Sequence, residues 1–297
     1  MQMERTKSNM TQKNMMLMKW ILVVSVALFI IFLAVERASI GCPYNPKSPL
    51  TDPFDATEFK GKILLLQKNR SSIRLLFVGD SIFELYESPE SYVAEDISYE
   101  DVWKHYYGDR GAVNLGFAGD DTANLLWRIQ AGEIDGLSPS LVVLLIGANN
   151  IHKTFNLNLW SAESDVRGIE AAVRELHLHM PNAHILLVGI LPAGDGQSAW
   201  KKRGFARWRA QMVSTINEKL AEQFDHGDVP YVTYVDLTSV FLRNGRVDNS
   251  LFIDGIHPTV KGQAMMASAL EPLISNILGD KPKGTTVVKS VACGEIP

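Results

Sequence analysis

Five short apolar runs alternate along this chain with longer stretches of helical periodicity, and that alternation restricts the fold more than any other feature. The runs cover 73–78, 112–115, 141–146, 184–190 and 231–235 and are rich in Leu, Ile and Val, each the length of a buried strand. The stretches 122–130, 162–179, 204–224 and 260–278 read as helices. In one of them Val166, Ile169, Val173, Leu176 and Met180 recur every three or four residues and form a single apolar stripe. Strands separated by helices pair in parallel, and the helices cover both faces of the sheet. The expected class is α/β, a three-layer α/β/α sandwich around a five-stranded parallel sheet.

In such sheets ligands bind beyond the carboxyl ends of the strands, so chemistry is sought there. The first run stops on Gly79-Asp80-Ser81. A buried strand that ends in Gly and presents a small hydroxyl before a helix is one way to expose a nucleophilic serine. The tripeptide alone is equally a turn or a helix cap. A serine also needs a base, and the base a partner that fixes its tautomer. Asp254-Gly-Ile-His257-Pro258, in the long loop before the last helix, supplies a carboxylate and an imidazole. That segment alone is again an ordinary turn. Gly119 follows the second strand and Asn149 the third. A glycine N–H and an asparagine side chain at that edge could join the N–H of Ser81 as an oxyanion hole. Asp120, Asp121 and Thr122 are expected to cap the following helix, and Trp127 and Arg128 to pack it against the sheet.

Gly79-Asp80-Ser81, the Gly119 loop, Gly147-Ala148-Asn149 and Asp254-x-x-His257 resemble, in order, the four blocks of the SGNH (GDSL) hydrolase superfamily. The stretch 114–128 and Gly147-Ala-Asn-Asn150 are most similar to the platelet-activating-factor acetylhydrolase Ib catalytic-subunit group. The resemblance covers roughly 73–278. It implies a flavodoxin-like sandwich and a serine esterase of small acyl groups that needs no cofactor and no metal. Ser81 would be the nucleophile, His257 the general base and Asp254 its orienter. Ser81, Gly119 and Asn149 would form the oxyanion hole. Phe83, bulky and just after the nucleophile, is expected to shape the substrate site. Two alternatives use the same scaffold: an O-acyltransferase that acts on a secreted glycan, and a binding module that has lost the chemistry. The intact site residues argue against the second.

The ends of the chain read differently. Residues 20–35 are an uncharged apolar run, preceded by Arg5, Lys7, Lys13 and Lys19. With its flanks the run approaches the length that spans a bilayer, and the basic side faces the cytoplasm. A cleaved signal peptide is the competing reading, and the length of the run together with Glu36-Arg37 favours an uncleaved anchor. The expected organisation is a basic cytoplasmic segment 1–19, a transmembrane signal anchor 20–38, a Pro-rich tether 39–71 with one possible helix around 58–68, a catalytic domain 72–280 outside the cytoplasm, and a polar tail 281–297. The expected partners are the membrane, through that helix, and a small acyl ester or acylated glycan as substrate. A net charge of -4 with no basic stripe excludes nucleic acid as an expected partner. Cys42 and Cys293 flank the domain and could pair outside the cytoplasm or remain separate thiols.

Overall fold

The structure, a computed structural model, describes residues 53–88, 97–151, 161–194 and 205–285. The anchor at 20–38 and both cysteines lie outside these residues. Among the described residues no helix is long and apolar enough to cross a membrane.

Five strands, β1 (Leu75–Asp80), β2 (Ala112–Phe117), β3 (Leu141–Leu145), β4 (His184–Val188) and β5 (Val232–Val235), form one sheet in the order β2-β1-β3-β4-β5. All four pairings are parallel, and the order is the flavodoxin-like one. Every residue of β1 and β3 is buried. β1 runs past its apolar core to Gly79 and Asp80, because its ladder with β2 continues through Gly79↔Gly116 and Asp80↔Phe117.

The α-helices are α1 (Pro53–Asn69), α2 (Ser81–Glu84), α3 (Tyr99–Tyr107), α4 (Thr122–Gln130), α5 (Ala162–His179), α6 (Phe205–Phe224) and α7 (Val260–Leu278), joined among the described residues by short 3-10 turns and one small antiparallel hairpin, Leu242–Arg243 with Arg246–Val247. α4 packs on α5 and α5 on α6, while α3 packs on α7. Right-handed crossovers dictate that division into two faces, since the strand order reverses direction after β2. Several helix starts are fixed locally. Asp121 with Asn124 and Ser161 with Ser164 make reciprocal caps at α4 and α5, which satisfies donors that the first turn leaves open.

The packed elements begin ahead of residue 72. On α1, Phe59, Lys62 and Leu66 are buried, and their spacing places them on one helical face. The Phe59 ring lies 6.2 Å from Phe117 and 5.6 Å from Trp127. The possible helix around 58–68 is therefore present, over Pro53–Asn69, and it packs on the sandwich, whereas the sequence places it in a tether.

One buried group carries a stability prediction. Asp165, in the first turn of α5, is fully buried, and among the described residues neither carboxylate oxygen has a hydrogen-bond partner. Burial pushes its carboxyl up from 3.8 to about 8, with Asp121 adding to the rise. Folding must then take up a proton between those two values, so this group's contribution to stability falls as pH rises through that window. Asp165→Asn is expected to stabilise the protein by about 1–3 kcal/mol near neutral pH and by almost nothing near pH 4. Urea denaturation at the two pH values measures the difference.

Candidate active site

β1 delivers Ser81 to the edge of the sheet through a close-packed turn. A Cβ on Gly79 would stand 2.3 Å from the carbonyl oxygen of Leu145, so only glycine lets the two strands approach here. The Asp80 carboxylate caps α2 by accepting from the N–H of Ile82 at 3.0 Å. Gln263 of α7 donates to the carbonyl of Ile82, and Asn114 of β2 donates to that of Phe83 at 2.7 Å. The serine therefore stands on a turn held from both sides. Phe83 itself is fully buried edge-to-face on Phe77, with centroids 5.1 Å apart. It is a core residue and not, as its bulk beside Ser81 suggests, a wall of the site.

The loop after β5 returns to this edge. Ser81 Oγ lies 2.8 Å from His257 Nε2, a contact across 176 residues of sequence. On the far side of the ring, His257 Nδ1 lies 2.8 Å from Asp254 Oδ2. The other carboxylate oxygen accepts the N–H groups of Ile256 and His257, both at 2.9 Å. The Tyr99 hydroxyl donates to the carbonyl of Pro258 at 2.9 Å and fixes the loop from α3. Burial opposes ionisation of Asp254, but the His257 ring and the two N–H groups outweigh it and hold the carboxyl well below the usual range. An ionised Asp254 accepts, which puts the ring proton on Nδ1 and leaves the Nε2 lone pair facing the serine. The Asp254 hydrogen bond also raises the His257 pKa above 6.5, against the effect of burial.

Gly119 and Asn149 stand together on the same edge. Gly119 has φ +78°, and a Cβ there would meet nothing within 4 Å, so its surface is open. The Asn149 side chain donates one N–H to the carbonyl of Asp120 at 2.8 Å, which leaves its second N–H available. Beneath them Arg128 is fully buried. Its Nε donates to Asp120 at 2.7 Å and its Nη1 to both oxygens of Glu133 at 2.6 Å. Asp121 caps α4 as expected, whereas Asp120 does not: its side chain is committed to Arg128. Burial pushes the Asp120 carboxyl up to about 7, with Arg128 pulling the other way. Asn150 accepts the Thr122 N–H at 3.1 Å and donates to its hydroxyl at 2.8 Å, tying α4 to the end of β3.

Two further charged groups stand at the site: Asp80, which in sequence lies beside the nucleophile and so cannot be the triad acid, and Arg209, which the sequence does not single out. Asp80 Oδ2 is buried with no partner among the described residues. Burial pushes its carboxyl up to about 6, against the Ile82 N–H, His257 and Arg209. Arg209 of α6 is 2% exposed and donates from Nη1 to the carbonyl of Ala148 at 3.3 Å. Burial pulls it down to about 10, so it stays cationic at neutral pH while Asp80 and Asp254 pull upward. In sequence Arg209 is not distinguishable from a surface Arg, and the cap that Asp80 makes gives no sign of its second, unpartnered oxygen.

An alcohol, an imidazole and a carboxylate in one hydrogen-bonded row, beside amide donors at a sheet edge, can perform acyl transfer. The chain is similar to proteins whose names carry an acyl-ester activity. The human and rat platelet-activating factor acetylhydrolase IB subunits alpha2 are each 29% identical to it over 72% of this chain and 82% of their own length. The human alpha1 subunit is 24% identical over 72% and 81%. Among solved structures, a Streptococcus pneumonia protein superposes with a TM-score of 0.57 at 21% identity, covering 74% of this chain and 92% of its own. A GDSL-like lipase from Bacteroides thetaiotaomicron gives 0.53 at 18%, covering 73% and 98%. The structural likenesses speak for the fold. Residues 77–265, most of the sandwich and all of the row from Ser81 to His257, match the model of the GDSL-like lipase/acylhydrolase family, and the chain belongs to that family.

Proposed function

We propose that the protein is a serine esterase that releases small acyl groups, with O-acetyl groups on an extracytoplasmic polysaccharide as its substrate. The observation that carries the hydrolase reading is the 2.8 Å contact of Ser81 Oγ with His257 Nε2, backed by Asp254 at 2.8 Å. Ser81 attacks the ester carbonyl while His257 takes its proton. The N–H groups of Ser81 and Gly119 and the Asn149 side chain hold the oxygen that becomes negative. The tetrahedral intermediate collapses, and the alcohol leaves with the proton from His257. Water, deprotonated by the same ring, then attacks the acyl-serine and frees the acid. The names of the acetylhydrolase relatives support an acetyl-sized acyl group. The apolar run 20–35 and the basic segment before it support a site outside the cytoplasm, where acylated glycans occur.

His257 must be neutral to act as base, so kcat/KM is expected to fall as pH drops through its pKa. That acid limb should lie above pH 6.5, because Asp254 raises the ring's affinity for a proton. A pH profile with p-nitrophenyl acetate measures it, and a limb below 6.5 contradicts the assignment. For the substrate, the full chain in detergent is incubated with O-acetylated xylan and free acetate is measured, with Ser81→Ala as the blank. Acetate release by the wild type alone is expected. Hydrolysis of p-nitrophenyl acetate without release from acetylated glycans would remove the polysaccharide and leave the esterase.

A further inference from the structure

The helix α1 lies outside the residues that the family shares, which begin at 77. Its Lys62 is nevertheless only 8% exposed, and a lysine so deeply buried is held by partners. Its Nζ donates to the carbonyl of Gly116 at 2.6 Å, lies 3.3 Å from Glu87 Oε2, and stands 4.6 Å from the centroid of the Phe117 ring. These partners belong to the two segments that carry the proposed oxyanion donors. Glu87 ends the 3-10 turn that continues from Ser81 and α2. Gly116 and Phe117 end β2, immediately before the loop that turns through Gly119.

Other contacts tighten the same junction. Asn114 accepts the Gly116 N–H at 2.9 Å and donates to the carbonyl of Phe83. Arg128 packs on the Phe117 ring at 4.1 Å while it holds Asp120, whose carbonyl receives Asn149. On the α1 side of this junction, Lys62 touches both the nucleophile's turn and the oxyanion strand. An ammonium held between a carbonyl and a carboxylate fixes their separation more firmly than apolar contact, because moving either partner away leaves a buried charge less well paired.

We propose that Lys62 is a positioning residue for the oxyanion hole, clamping the turn of Ser81 to the strand that leads into Gly119. The inference rests on the esterase reading. Misplacing catalytic donors by about 1 Å can cost on the order of 100-fold, and the loss falls on kcat, because the donors act when charge develops.

The test compares full-chain wild type, Lys62→Met, Glu87→Gln, Gly119→Ala and the Lys62→Met/Gly119→Ala double variant with p-nitrophenyl acetate, alongside thermal melts. Lys62→Met is expected to lower kcat about 10- to 100-fold with KM within about twofold. Glu87→Gln, at a half-exposed position, is expected to lower kcat a few-fold. The double variant should lose little beyond the slower single variant, since both act on one loop. A purely structural lysine would shift the melt and leave kcat per folded molecule unchanged. Unchanged kcat in folded Lys62→Met overturns the proposal. So does unchanged kcat in Glu87→Gln if Lys62→Met does not fold, and so do losses that multiply in the double variant. A wild type that turns over no ester overturns the esterase reading itself, which is distinct from an active wild type whose variants are unaffected.

Discussion

Ser81→Ala and His257→Ala are each expected to lower kcat for p-nitrophenyl acetate by about 10,000-fold or more, and the double variant is expected to lose no more than the worse single one. The reason is geometric. Oγ and Nε2 are 2.8 Å apart, so the proton leaves the serine only toward that ring, and neither group has a task without the other. Asp254→Asn is expected to fall nearly as far. An amide can donate to Nδ1, which would favour the tautomer with its proton on Nε2, the wrong side for a base. All three side chains are only half-buried, so the variants should melt within a few degrees of wild type. Losses that multiplied across the pair would show that the two side chains act in separate steps.

Arg128→Met is expected to destabilise the fold by about 3–5 kcal/mol at neutral pH. The guanidinium is fully buried and serves two carboxylates, Asp120 and Glu133, which are themselves 2% and 3% exposed. Without it two acids face each other in a dry interior, with only protonation to relieve them. The cost should therefore shrink as pH falls, since burial already pushes Asp120 up to about 7. Adding Asp120→Asn and Glu133→Gln to Arg128→Met should restore most of the stability, because a neutral set needs no counter-ion. Urea denaturation at two pH values measures both effects. A single variant within about 1 kcal/mol of wild type would mean that the cluster is not the structural post beneath Gly119 and Asn149.

What was legible in the sequence is what local pattern determines. α4 and α5 occupy the expected 122–130 and 162–179, because caps written into the chain, Asp121 with Asn124 and Ser161 with Ser164, set their starts. The apolar runs became the strands, with ends moved by one or two residues where pairing overrode composition. The convergence of Ser81, His257 and Asp254 followed from the rule that loops after parallel strands share an edge. Functions decided by tertiary contact were not legible. α3 is absent from the expected helices although both its signals are local, the capping box of Ser98 with Asp101 and an apolar stripe through Tyr99, Val102, Tyr106 and Tyr107. Asp120 reads as a cap until Arg128 is seen beside it. Lys62 and Arg209 look like solvent-facing charges on helices, and only the approach of other elements buries them. Phe83 looks like a substrate wall until Phe77 is found under it.

The account depends most on Ser81 being the atom that becomes acylated, and a fluorophosphonate that mimics the tetrahedral intermediate addresses this directly. After brief treatment of the full chain, peptide mass spectrometry should find a single adduct on Ser81. The adduct should be missing from Ser81→Ala and should form far more slowly in His257→Ala. An adduct on another residue, or an active esterase that remains unlabelled and uninhibited, would contradict the account.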